Sequence, residues 1–166
     1  MSRRALLEKL AIGAGAAAAG AAVWPLAAGV AQPLSTGREA EAPWVDVAGE
    51  KEVRADAPLK TALRVPVRDG FFTTLLDLGA VWLRRGPGGA ISALSGTCPH
   101  LGCGIDFDPK AGFACPCHDS RFSPDGAWQR GPSPRSLDPL PVRIAGGRVQ
   151  VQALRFASGI QARREI

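Results

Sequence analysis

The sequence predicts an all-β fold: a small antiparallel β sandwich or barrel with a separate metal-binding loop region, preceded by one N-terminal transmembrane helix. Three observations carry this. After position 43 the apolar residues come in short alternating runs, cut repeatedly by glycine and proline, of which the chain holds 20 and 14. No long segment of 3.6-residue periodicity follows the N-terminal stretch. Near the N-terminus lies one uncharged run of bilayer-spanning length. With 166 residues, 46% apolar and 21% charged, the chain has material for one packed domain and an appendage. That length excludes a polytopic transporter, a kinase-sized catalytic domain and a large two-site redox enzyme.

Residues 10–31 (LAIGAGAAAAGAAVWPLAAGVA) contain no formal charge. As a helix this run would reach about 33 Å, against a bilayer core of about 30 Å. It has no polar face to show to water, so it is not a surface helix of a soluble core. Ahead of it stands Ser2-Arg3-Arg4-Ala5-Leu6-Leu7, similar to the twin-arginine signal of bacteria, whose pathway exports proteins already folded. Residues 1–31 therefore read as a twin-arginine signal and transmembrane anchor, with Arg3, Arg4 and Lys9 held inside. Gly29-Val30-Ala31 is also a small-x-small site, after which a peptidase could cut. In either case the remainder faces an oxidising compartment.

Residues 32–43 (QPLSTGREAEAP) are polar and read as a flexible hinge. The domain proper is placed at residues 44–154. Trp44-Val45-Asp46-Val47 alternates, as does Ala62-Leu63-Arg64-Val65-Pro66-Val67-Arg68. The run 80–85 enters Gly86-Pro87-Gly88-Gly89 and leaves as 90–94, a hairpin signal; Ala145-Gly146-Gly147 turns a second hairpin between 142–144 and 148–151. Residues 155–166 form a tail whose composition leaves its structure open. Trp44, Trp82 and Trp128 read as core or cover residues, and Arg84-Arg85 and Arg163-Arg164 as solvated charges.

The net charge of +5 raises nucleic acid as a partner, and its distribution removes it. Residues 1–31 and 155–166 each carry +2, leaving 14 basic and 13 acidic side chains between them. No basic stripe survives in the domain, so no nucleic-acid partner is expected.

All four cysteines and both histidines fall between positions 98 and 118. They form Cys98-Pro99-His100-Leu101-Gly102-Cys103 and Cys115-Pro116-Cys117-His118, separated by a stretch with Gly104, Asp108, Pro109 and Gly112. Two plain disulfides would leave unexplained why each histidine neighbours a cysteine pair. A tetrahedral zinc site needs four ligands, and six are offered. The two groups, the second continuing to Ser120, resemble the two boxes of the Rieske iron–sulfur family. The resemblance spans residues 44–154, and paired boxes of this kind are highly specific.

The resemblance implies one Rieske [2Fe–2S] cluster, with Cys98 and Cys115 on one iron and His100 and His118 on the other. It implies a disulfide between Cys103 and Cys117. Two neutral imidazoles in place of two thiolates remove negative charge, so the cluster accepts an electron more readily than an all-cysteine one. Rieske ferredoxins and ring-hydroxylating oxygenases usually lack the disulfide, and the oxygenases need an iron domain for which this chain has no room. Anchor, hinge and cysteine pair together resemble the Rieske subunit of cytochrome bc- or b6f-type quinol oxidoreductases. Quinol and a cytochrome b-type subunit, and a c-type cytochrome as acceptor, are then the expected partners. The expected location is the bacterial cytoplasmic membrane, single-pass, with the cluster domain on the extracytoplasmic side. His118 is the expected quinol contact and proton carrier. Gly131-Pro132-Ser133-Pro134, with Pro132 in it, matches the proline loop that covers the cluster. The small subunit of an arsenite-oxidase-type molybdoenzyme, or a tethered Rieske carrier of another pathway, is the alternative.

Quinol-type members often have Thr, Gly and Tyr where this chain has Pro99, Asp119 and Phe122. Pro99 removes a backbone donor, and Asp119 suits a left-handed conformation. The family's tyrosine donates to a ligand sulfur, which Phe122 cannot do, whereas Ser120 retains a hydroxyl for a bridging sulfide. Fewer donors to sulfur imply a lower potential, suited to menaquinol.

Overall fold

The computed structural model describes residues 3–5, 7 and 41–166. The expected signal and anchor, and the hinge up to residue 40, therefore lie outside the described residues, apart from helical backbone at 3–5 and 7. Among the described residues no helix is long and apolar enough to cross a membrane. The chain divides into units 1–41 and 42–166, and the strands described here all belong to the second.

Eleven strands form three antiparallel sheets among the described residues. The first sheet has the order β1 (Trp44–Gly49), β11 (Arg148–Gln152), β10 (Val142–Ala145). The second runs β2 (Leu59–Asp69), β3 (Phe72–Arg85), β4 (Ile91–Ser95), β9 (Pro139–Leu140). The third, in chain order, is β5 (Asp106–Asp108), β6 (Gly112–Ala114), β7 (Arg121–Phe122), β8 (Trp128–Arg130). Both hairpins expected from glycine turns are present. β3 and β4 pair from Arg85↔Ile91 to Val81↔Ser95, and β10 and β11 from Ala145↔Arg148 to Val142↔Val151.

Val81, Trp82 and Leu83 are consecutive and all buried. Because side chains alternate along a strand, burial of three in a row means that β3 is covered on both faces here. One face, with Val81 and Leu83, joins Leu63, Ala93, Leu140, Val149 and Val151 in a core between the first two sheets. The other face, with Trp82, joins Leu94, Ile105, Phe113, Phe122, Leu137 and the two cysteines Cys98 and Cys115. The first core makes the sandwich, and the second carries the metal-binding loops. Trp82 locks the two together: its indole Nε1 donates to the Ile105 carbonyl at 3.2 Å, and its ring meets Phe113 edge-on at 5.5 Å.

Some readings of single residues change. Trp128 is exposed, which leaves only the cover half of its reading, and its indole Nε1 donates to the Gly131 carbonyl at 3.3 Å. Arg85 is not a free surface charge, since its guanidinium donates to the carbonyls of Glu50, Val53 and Gly89. Arg163 pairs with buried Asp138 at 3.0 Å. The tail contains no helix and folds back on itself, with a bridge between Phe156 and Glu165 and a bond from Ala157 N–H to the Arg164 carbonyl at 2.9 Å.

Candidate metal centre

The two cysteine–histidine groups lie in two hairpin loops whose ends are sealed by backbone bonds. Thr97 and Gly104 bridge beneath the first loop, Cys98 N–H donates to the Cys103 carbonyl at 2.7 Å, and Gly102 N–H to the Cys98 carbonyl at 3.0 Å. The second loop joins β6 to β7 and is closed by Cys115 N–H on the Ser120 carbonyl at 2.9 Å. Pro99 and Pro116 bring no amide donor that either loop would have to satisfy. Cys103 and Cys117 are joined as a disulfide across the two loops, the pairing that the family resemblance implied.

The remaining four residues form two pairs, one of thiols and one of imidazoles. Cys98 and Cys115 are free and buried, with their thiols against one another. Burial pushes the Cys98 thiol up to about 11, and the Cys115 thiol adds to the rise. The rings of His100 and His118 meet edge-on with centroids 4.9 Å apart. His118 is exposed and His100 half-buried, so the imidazole side of the site faces solvent while the sulfur side faces the second core. The sulfurs of Cys103, Cys115 and Cys117 also lie within 4.8 Å of one another. Those of the disulfide have no thiolate to offer, so the free thiols of the site are those of Cys115 and Cys98.

This donor set fits an iron–sulfur group. His100 Nδ1 is buried with no hydrogen-bond partner, an arrangement that a coordinated nitrogen explains and an empty fold does not. Ser120 is fully buried, and its Oγ accepts from Ser133 N–H at 3.0 Å. Its hydroxyl proton is therefore directed away from that bond. The loop 131–134 lies directly on Ser120: a Cβ at Gly131, whose φ is +93°, would sit 2.5 Å from the Ser120 Cα. Pro132 in this loop is exposed. Phe122 is fully buried beside the two free cysteines. Asp119 takes φ 55°, the left-handed conformation expected of it. Its carboxylate is held by Arg121 at 2.8 Å and Arg130 at 3.0 Å, so its charge is countered on the surface.

Two features escape a reading from sequence. Leu101, between the histidine and the glycine of the first loop, is 64% exposed, an apolar side chain offered to solvent beside the imidazoles. Arg135 and Asp138 form a bidentate ion pair whose side chains are only 8% and 4% exposed. The i,i+3 spacing was visible, but nothing in the sequence marks such a pair as buried.

A disulfide-stapled pair of loops, each offering one thiol and one imidazole, defines an iron–sulfur protein with mixed sulfur and nitrogen ligation. The model of the Rieske [2Fe-2S] domain matches residues 43–143, and the chain belongs to that family; its cofactor is the Rieske [2Fe–2S] cluster. The cytochrome b6-f complex iron-sulfur subunit 3 of Nostoc sp. is 33% identical over 150 residues, covering 87% of this chain and 80% of that one. The cytochrome b6-f complex iron-sulfur subunit of Chlorobaculum tepidum is 29% identical over 150 residues, covering 90% and 74%. The menaquinol:cytochrome c reductase iron-sulfur subunit of Geobacillus thermodenitrificans is 31% identical over 110 residues, covering 63% of this chain and 64% of that subunit.

Proposed function

We propose that the protein is the electron-transfer subunit of a cytochrome bc/b6f-type quinol oxidoreductase. It would take electrons from quinol, in the first instance menaquinol, at a cytochrome b-type partner and deliver them to a c-type cytochrome. The observation that carries this reading is the asymmetry of the site. The thiols of Cys98 and Cys115 are sunk in the core, while the His118 ring is exposed at the stapled loop pair. When bound, the [2Fe–2S] group accepts and gives up one electron at a potential raised by its two imidazole ligands.

In this reading Cys98 and Cys115 hold one iron, and His100 and His118 the other. The exposed His118 meets the quinol hydroxyl and takes its proton, since imidazole is the side chain that exchanges a proton near neutral pH. Ser120 would offer its remaining hydroxyl proton to the bound cluster. The loop with Pro132 keeps water from Ser120, which is fully buried. Phe122 brings no donor, which lowers the potential and suits the weaker oxidant needed for menaquinol. Residues 1–31 would anchor the subunit in the cytoplasmic membrane and 32–43 act as the hinge. The disulfide supports an oxidising, extracytoplasmic position for residues 44–154.

The reading is tested by isolating the protein from native membranes with its partners and measuring cytochrome c reduction by menaquinol. Co-purification with a cytochrome b and quinol-dependent reduction, lost in His118→Ala, are expected. Co-purification with a molybdenum subunit, with no quinol activity, would overturn it in favour of a molybdoenzyme small subunit.

A further inference from the structure

The first ligand loop is buried at Cys98 and Pro99, and it also borders a cavity shared with the C-terminal tail. Behind Cys98 and Pro99 lies a cavity of about 310 Å³, and its opposite wall is made by Phe156, Ser158 and Ile166 of the tail. Across that gap one backbone bond reaches the loop, from Gly159 N–H to the Pro99 carbonyl at 2.8 Å. A Cβ placed on Gly102 would come 3.9 Å from Ser158 Oγ, so the tail also lies along the far side of the loop. The tail, in turn, is fastened from the domain. The Arg135 guanidinium donates to the carbonyls of Ala157 at 2.9 Å and Ile160 at 2.5 Å, on either side of Gly159. Its other donors grip Asp138 at 2.9 and 2.8 Å, and Arg163 of the tail reaches the same carboxylate at 3.0 Å.

Arg135 touches the second ligand loop by another route. Its carbonyl accepts from Ser133 Oγ at 2.8 Å, and Ser133 N–H donates to Ser120 Oγ at 3.0 Å. One residue with a nearly buried side chain thus ties both loops to a common frame. The geometry points to Arg135 as a positioning residue of the cluster site, one that clamps the C-terminal segment against the first loop and so fixes where His100 stands. Only arginine can do this. Its planar fork supplies five donors in fixed directions, enough for a bidentate carboxylate and two carbonyls at once. A lysine ammonium has three, on a point charge that cannot span them. This inference rests on the cluster reading of Cys98 and His100.

The test uses the full-length, cluster-loaded protein in three forms: wild type, Arg135→Lys, and a chain lacking residues 158–166. The deletion keeps the Arg135–Asp138 pair and so separates loss of the clamp from loss of the buried ion pair. Amide hydrogen exchange is followed at residues 98–103, with β1 and β11 as internal references, alongside the electron paramagnetic resonance line shape of the reduced cluster. Loss of bracing bonds worth about 1.4 kcal/mol speeds exchange in the loop about tenfold. That acceleration in both variants is expected, with reference strands unchanged and the resonance shifted or broadened. Loop exchange and line shape equal to wild type in either variant would overturn the clamp. Failure of the cluster reading is a different result, absence of a Rieske-type signal in the wild type itself.

Discussion

Removing one buried oxygen, in Ser120→Ala, separates what this site contributes to the fold from what it contributes to the redox chemistry. The Ser120 side chain is fully buried, and its Oγ is the acceptor for Ser133 N–H at 3.0 Å in a residue itself only 5% exposed. Without it that amide is left unsatisfied, at a cost of about 1–3 kcal/mol. This loss is a property of the polypeptide and shows in cluster-free protein as well as loaded. The second effect exists only with the cluster bound. In the proposed function the Ser120 proton, not used by the Ser133 bond, would stabilise the reduced form of the bound cluster, and a net donor of about 1 kcal/mol corresponds to about 43 mV for one electron. Ser120→Ala should therefore lower the midpoint by about 40 mV and the unfolding free energy by about 1–3 kcal/mol. Denaturant unfolding of the apoprotein and a redox titration monitored by paramagnetic resonance read the two separately. A midpoint unchanged beside the expected stability loss would refute the proposal that this hydroxyl reaches the cluster.

Phe122→Tyr adds a hydroxyl beside the two free cysteines and should raise the midpoint by tens of millivolts, about 40 mV for a donor of about 1 kcal/mol. A midpoint that stays in place would show that the ring edge does not face sulfur. Cys103→Ser opens a staple of sequence separation 14, for which loop closure alone is worth about 3 kcal/mol. Cluster loss on warming, followed by visible absorbance, should be markedly faster, and retention equal to wild type would count against the staple. Phe71→Ser changes a side chain that is 98% exposed at the β2–β3 turn and should leave unfolding free energy within about 0.5 kcal/mol. A larger loss, in chemical denaturation, would mean that the turn packs against the domain.

How much was legible in the sequence depends on the range of the physics involved. The strands at 44–49, 91–95 and 148–152 were visible because alternation and glycine turns are local signals. The long start of β3 was not: from Phe72 to Leu76 its exposed apolar residues pair only with β2, so no face of the pattern is sorted by burial. The short strands β5 to β8 have two or three residues each, too few for any period to show. The Cys103–Cys117 disulfide was legible through the family resemblance, which the clustering of all cysteines and histidines between positions 98 and 118 carries. Arg135 was not, because its partners are backbone carbonyls of a tail whose sequence carries no side-chain signature for them.

The most direct test of the quinol-oxidising role is the low-temperature paramagnetic resonance spectrum of reduced native membranes, recorded with and without an inhibitor of the quinol-oxidation site. A Rieske-type signal that shifts when inhibitor is added is expected, and it would place His118 at a quinol pocket. A Rieske signal indifferent to the inhibitor would contradict the quinol-oxidising role, and absence of the signal would contradict the cluster itself.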